Sequence, residues 1–490
     1  MLKTFKPFGL QRQLEPYIYS RKNYINQLME LRPNDNNKIS LTRFESMLKT
    51  NHVLFFDSEE FENIIHHYLN HGKIALAKKA IKLGLQQHPT STNLKLFKVE
   101  IFVFENDLEK ADALINELYL LEPLNEEIYI QKANILSKRD DHKKAIEVLE
   151  KALKLTEDPI DIYSLIGMEH LFLDQFEEAK TNFMKCLESD LEDYSAMHNM
   201  IYCFDFLEQH EEAITYLNMF LEKNPYSEVA WHQLGKQYFD LKEYEKALTA
   251  FDFAIISDDR FIGAYLEKGK VLEKLKRFPE AIENYSITLT LDDPTSFALL
   301  RIGLCHQKLG NNDLAVQYFY KTVEEDPLLD KGWIAITKFY NRQKNFQKSL
   351  YYINKAINID SENVHYWKLY AQINERLHLL EEAERGYKKA LELGNHELNT
   401  WLTRGDILHK LGETDAAVYN FIQASEFYPE NAEIEFRLAG LYYMLLETEK
   451  GSYHLKNGLR FNAEFAFIIE ELFPSIYKSQ PVKSLLKAKL

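Results

Sequence analysis

The sequence predicts an all-α protein built as a tandem array of helical hairpins, and three observations carry that prediction. Small side chains recur every 34 residues at Ala77, Ala111, Ala145, Ala179, Ala213, Ala247, Ala281, Ala315, Ser349, Ala383, Ala417 and Gly451, with no insertion or deletion between them. Aromatic residues keep the same stride at Phe61, Tyr129, Tyr163, Trp231, Tyr265, Trp333, Trp367 and Trp401. Composition agrees, because 490 residues include 31 Phe and 29 Tyr but only 17 Gly and 13 Pro, too few for a linker-rich or disordered chain.

A second close-contact position lies twelve residues ahead of the small ladder. It holds Ala133, Gly167, Gly235, Gly269, Gly303, Ala371, Gly405 and Ala439, and the larger Ile65, Val99, Ile201 and Thr337. Proline closes several units, at Pro89, Pro123, Pro225, Pro327 and Pro429. The pattern resembles the tetratricopeptide repeat (TPR), a 34-residue pair of helices written W-x2-L-G-x2-Y…A-x3-F…P. The resemblance covers 58–465, dividing it into 58–91, 92–125, 126–159, 160–193, 194–227, 228–261, 262–295, 296–329, 330–363, 364–397, 398–431 and 432–465. It implies a right-handed superhelical solenoid of about twelve repeats with helical caps at both ends. In that family the first helices line the concave side, where ligands typically lie. The Asn-, Lys-, Ile- and Tyr-rich usage is similar to that of long bacterial members.

The spacing accounts for the residue choices. Trp231, Leu234 and Tyr238 fall at i, i+3 and i+7, one apolar stripe of a first helix. Gly235 with Ala247 lets the two helices approach, Phe251 fills the space at the side, and proline stops the second helix. A single hairpin cannot bury its stripe, so neighbours must stack. Thr337 and Ser349 in one unit and Ile201 in another depart from the pattern, as tolerated variation or as looser junctions.

Residues 1–57 lie outside the register and are net basic. A helix is expected from Pro16 towards Leu31 and a short one from Leu41 to Lys49, with Asp57 and Glu60 as an N-cap and its reciprocal acid. The segment reads as a cap on the first repeat, or alternatively as a docking arm. Residues 466–490 supply Phe467, Ile468, Leu472 and Phe473 on a capping helix broken at Pro474, followed by a basic, mobile tail.

Little in the chain speaks for catalysis or a cofactor, and neither is expected. No phosphate-binding glycine loop or HEXXH occurs. His67 and His71 stand four apart but have no third ligand nearby, and read as surface residues rather than metal ligands. Cys186, Cys203 and Cys305 are odd in number and scattered, which suits a reducing compartment and structural roles. With no signal peptide and no apolar run of spanning length, a cytoplasmic monomer is expected.

The inner stripe of the first helices changes sign along the chain. It carries Glu59, Glu62, Glu100, Glu127, Asp161 and Asp205 against Lys138 in the first five units. The next five carry Lys236, Lys270, Lys274, Lys308, Lys331, Lys338, Arg342, Lys368 and Arg376 against Asp240, Glu273 and Glu375. Phe172, Tyr202, Phe206 and Phe239 lie between, a candidate apolar anchor. These residues predict a scaffold or adaptor that holds protein partners, in particular an acidic or extended peptide. The alternative is a helical-repeat RNA binder using the same basic stripe, which a net charge of −16 disfavours without excluding. The lysine–asparagine clamp by which some TPR modules hold chaperone tails is missing, since Gln372 follows Lys368 and Ala335 follows Lys331.

Overall fold

The computed structural model describes residues 35–50, 53–291 and 295–487, and every regular element among them is helical. Contacts divide the chain into two units, 1–246 and 247–490.

In the first unit a helix over Asp35–Thr50 precedes five helix pairs, from Ser58–Asn70 with Ile74–Gln87 to Tyr194–Phe206 with His210–Lys223, and then Glu228–Asp240. The opening helix is longer than the expected Leu41–Lys49. It packs Phe44 and Met47 on Phe56 of the connecting segment and on Phe61 and Tyr68 of the first pair. Glu60 fastens it: the Asp57 amide donates to its carboxylate (3.0 Å), as do Ser40 (2.5 Å) and Arg43 (3.2 Å). The helix expected from Pro16 to Leu31 lies outside the described residues.

The second unit holds six pairs, from Ile262–Lys274 with Phe278–Leu291 to Ala432–Met444 with Thr448–Phe461. Residues 463–487 then fold over the last pair. Phe473 is buried so tightly on Gly440 that a Cβ there would lie 2.2 Å from the ring, and Ile468, Ile469 and Val482 are buried with it. Two expectations are corrected at this end. Phe467 is half exposed, and the basic tail is folded where it is described: Gln480–Lys487 is a helix whose Val482, Leu485 and Leu486 supply apolar surface to the core of the last pair.

Within a pair, the residue sixteen positions after the close-contact site decides how large that site can be. Rings lie directly over glycine, not merely beside it. A Cβ on Gly167, Gly269, Gly303 or Gly405 would stand 2.8, 2.5, 2.7 or 2.2 Å from Phe183, Tyr285, Phe319 or Phe421. Where the covering residue is aliphatic the site carries a side chain: Ile81 goes with Ile65, Ile115 with Val99, Leu149 with Ala133 and Leu455 with Ala439, each couple in one core cluster. Volume is thus conserved pair by pair, as close packing requires. Tyr387 stands opposite Ala371, and Gly386 beside it makes the room.

Thr337 and Ser349 are fully buried and leave no polar atom stranded. Ser349 donates to the Thr337 carbonyl (3.0 Å) and Thr337 to the Trp333 carbonyl (2.8 Å). This junction is closed by hydrogen bonds where its neighbours use apolar contact, and it is not a loose one.

The turn inside every pair uses a left-handed residue, again every 34 positions. These are Gly72, Asn106, Asp140, Asp174, Glu208, Lys242, Lys276, Gly310, Lys344, His378, Gly412 and Leu446, with φ between 56° and 82°. The next amide reaches back over the helix end, as Asp107 N does to Phe102 O (2.8 Å) and Gln175 N to His170 O (2.9 Å). This is the Schellman closure, which satisfies carbonyls at a helix C-terminus. The in-phase aromatics brace the turn between pairs. Trp333 and Trp367 donate to the carbonyls of Pro327 (2.9 Å) and Ser361 (2.8 Å), and Tyr129 and Tyr265 donate likewise to Pro123 and Asp259.

Candidate functional site

Three successive first helices of the second unit, Asp330–Arg342, Val364–Arg376 and Leu398–Lys410, present residues spaced three and four apart. That spacing puts them on one face of each helix. Two cavities open on these faces and share Gln372.

The first cavity, about 160 Å³, has an apolar floor of Ile334, Leu369 and Tyr366 with Lys338, Lys368 and His365 around it. The Tyr366 hydroxyl donates to Asp330. Lys368 is tied to Glu397 (2.5 Å), and Lys368 with Asn395 holds the Glu397 carboxyl below the usual range. Lys338 has no ionic partner among the described residues. The second cavity, about 380 Å³, is polar, with Asn341, Gln372, Asn399 and Thr403 beside Glu375, Arg376 and Tyr387. There the Tyr387 hydroxyl donates to Glu375 (3.1 Å), and burial first, then Glu375, pushes that hydroxyl's pKa up.

The expected basic residues are therefore distributed unevenly. Lys338, Lys368 and Arg376 line the cavities, while Lys331 and Arg342 are exposed on the same helix as Lys338. Lys274 and Lys308 are exposed near the ends of earlier helices. Lys270 is engaged by Glu267 (2.6 Å) and lies over the Phe297 ring. In the first unit, Lys236 reaches Gln233 (3.4 Å).

The four expected aromatics belong to the first unit as three separate contacts, each with the residue that opens a second helix. Phe172 stacks on His142 (4.8 Å), Phe206 on Phe176 (3.8 Å) with Tyr202 at 6.3 Å, and Phe239 lies 5.7 Å from Tyr244. Near them Asp205, His210 and Asp240 bring ligand-type atoms within 4.8 Å of one another. Fully buried Gln237 occupies that group, donating to Asp205 (2.7 Å) and bonding His210 Nδ1 (2.8 Å), so a hydrogen-bonded helix junction accounts for it.

His67 and His71 lie with ring centres 4.1 Å apart and planes tilted by 34°, and His71 Nδ1 bonds the His67 carbonyl (2.8 Å). All three cysteines are buried, and burial pushes each thiol up to about 12, which removes them as nucleophiles. No helix among the described residues is long and apolar enough to cross a membrane.

Charge-based reading missed the uncharged members, His365, Asn341, Gln372, Asn399 and Thr403. The 34-residue stride would have found all but Thr403, whose equivalents are Leu369 and Ala335: Lys331, His365 and Asn399 are equivalent, as are Lys338 and Gln372, and Asn341 and Glu375.

These paired helices, with small or glycine contacts at fixed stride and a left-handed turn in each pair, define an all-helical repeat protein. Tetratricopeptide repeat models match residues 126–159 and 160–193, 232–295, and 297–328. The chain thus carries tetratricopeptide repeats over these segments. No curated protein matches it significantly. Among solved structures, MamA is similar at 18% identity, covering 33% of this chain and 94% of its own, with a TM-score of 0.31. YrrB, described as a TPR protein with an unusual peptide-binding site, is 17% identical over 36% of this chain and 92% of its own, at 0.30. A tetratricopeptide repeat protein from Parabacteroides merdae is 16% identical over 56% and 95%, at 0.36.

Proposed function

We propose that the protein is a non-enzymatic scaffold that holds an acidic, extended segment of a protein partner against the first helices of residues 330–410. The observation that carries this reading is the coincidence of two cavities with the basic stripe. Lys338, Lys368 and Arg376 stand at the cavities, Arg342 and Lys331 flank them, and of these five only Lys368 has an ionic partner among the described residues. Cations left unpaired around a partly apolar pocket suit a ligand that brings its own carboxylates, through charge-assisted bonds and steering.

A fluorescein-labelled peptide of alternating glutamate and serine, about a dozen residues long, tests the reading by anisotropy. Wild-type protein binds it with a salt-dependent affinity, whereas the Lys338→Glu/Arg342→Glu/Lys368→Glu variant binds weakly and with a flatter salt dependence. Unchanged affinity in that variant overturns the reading. Preference for a single-stranded RNA of equal charge, abolished by the same variant, favours the nucleic-acid alternative.

A further inference from the structure

The last helices of the chain lie on the face of the first helices that carries the two cavities. Gly440 and His409, the residues against which Phe473 packs, repeat at 34-residue stride the places of Lys338 and Gln372 and of Asn341 and Glu375. The Phe473 and His409 ring centres are 4.7 Å apart, and a Cβ on Gly440 would stand 2.2 Å from the Phe473 ring. His409 belongs to Leu398–Lys410 and Gly440 to Ala432–Met444, so one ring bridges two successive first helices. Lys338 and Gln372 are exposed, whereas every residue from Phe436 to Tyr443 is buried. The attachment also differs from that of an ordinary repeat. Elsewhere in this unit successive pairs are joined by polar bonds: Tyr366 donates to Asp330, Tyr428 to the His396 carbonyl (2.8 Å), and Arg437 to both oxygens of Asp406 (2.8 and 3.0 Å). Among the described residues, no hydrogen bond or ion pair joins 467–487 to the pairs that end at Phe461. Ile468, Ile469, Phe473 and Val482 hold the segment by apolar contact. Docking also buries the His409 Nδ1, which has no hydrogen-bond partner among the described residues and regains water when the segment lifts.

We propose that residues 467–487 are an internal occupant of this face, and that Gly440 and His409 form a slot for an aromatic side chain, which Phe473 fills until an aromatic residue of a bound partner takes its place. The inference rests on the peptide-holding reading above and adds both what the partner carries and how access is controlled. The three helices of the segment, Phe467–Leu472, Pro474–Tyr477 and Gln480–Lys487, are short, so it leaves as a strap and takes no repeat with it. The slot begins one first helix beyond Lys368 and ends two beyond it. Adjacent packed helices are spaced about 8–10 Å apart, and an extended chain rises about 3.3 Å per residue. The partner's aromatic residue therefore lies about three to six residues from the carboxylate that meets Lys368. A partner lacking that residue binds at the cavities and leaves the strap in place.

The full chain tests this with two probes, the glutamate–serine peptide and the same peptide with a phenylalanine at each end, which serves either chain direction. In Phe473→Ala, amide protection over 467–487 is expected to fall by about a hundredfold while that over 432–461 holds. The phenylalanine-ended peptide should bind this variant about tenfold or more tighter than the plain one, as for one buried ring. On wild type, saturating phenylalanine-ended peptide should lower protection over 467–487, and the plain peptide should not. Gly440→Leu, with circular dichroism confirming the fold, expels Phe473 but fills the slot, so the two peptides should bind it alike. Equal binding of the two peptides to Phe473→Ala overturns the proposal, as does a preference that survives in Gly440→Leu. Loss of protection through 432–461 together with 467–487 also overturns it, by making the segment a structural cap only. If the plain peptide binds in each of these cases, the scaffold reading survives alone. If neither peptide binds any of the proteins, both readings fall. If only the phenylalanine-ended peptide binds, to Phe473→Ala and not to Gly440→Leu, the slot stands and the acidic-segment reading falls.

Discussion

If ring and glycine are chosen together, exchanging both should cost less than the two single exchanges summed. Gly405 and Phe421 give the sharpest case. Phe421 is 1% exposed, and a Cβ on Gly405 would lie 2.2 Å from its Cζ and 2.6 Å from both Cε atoms. Ordinary carbon contacts need about 3.5–4 Å, so Gly405→Ala must drive the ring more than an ångström through packed neighbours. Overpacking of that kind costs about 2–3 kcal/mol. Phe421→Leu alone leaves a void under the vacated ring edge, for about 1–2 kcal/mol. The double variant restores an arrangement that the chain itself uses at Ala133 with Leu149 and at Ala439 with Leu455. It should cost only about 1–2 kcal/mol, a favourable coupling of about 2 kcal/mol. Stacked repeats need not unfold in one step, so a global midpoint is a poor measure. Native-state hydrogen exchange over Leu398–Lys410 and Thr414–Phe427 reads the local opening free energy directly. Strict additivity, or a neutral Gly405→Ala, would refute the pairing argument.

The left-handed turns make a second series. Leu446 is 85% exposed at φ 63°, so Leu446→Gly loses no burial. Relief of about 1–2 kcal/mol of strain, less glycine's greater freedom when unfolded, leaves a gain of about 0.5–1 kcal/mol. Gly310→Ala, at φ 82° with nothing within 4 Å of the new Cβ, should have the opposite sign by a similar amount, and native-state hydrogen exchange over the helices flanking each turn checks both. For pH, burial raises the Glu169 carboxyl against the opposing hydrogen bonds from Ser137 and His142, with His170 a further charge nearby. A carboxyl raised on folding stabilises most below its unfolded value, and that contribution is lost as pH climbs through the folded one. Native-state hydrogen exchange over Ile160–Phe172, followed across pH, should therefore show Glu169→Gln gaining on wild type as pH rises above the ordinary carboxylate range. A constant difference would assign the effect to lost hydrogen bonds alone.

The regular part of this molecule was legible because packing selects side-chain size, and size can be read from residue names. The ladder from Ala77 to Gly451 reports helix pairs because only small residues fit there. The same reasoning stopped short at Ile65, Val99 and Thr337, which resemble irregularities until each is set against Ile81, Ile115 and Ile353 sixteen residues on. Backbone geometry left a fainter trace. Only Gly72, Gly310 and Gly412 mark the left-handed turn, while Lys242, Glu208 or Leu446 adopt it at a modest local penalty that the stacked helices override.

Site chemistry was the least legible, for a related reason: charge is visible in a sequence, but its partner is not. Lys368 and Lys338 look equivalent there, yet only Lys368 is held by a carboxylate, from Glu397 beyond the next turn. Phe172 and Phe206 look like one aromatic group, yet each is already stacked on the residue opening a second helix. A side chain's availability is what remains after internal contacts are made, and those contacts run between repeats.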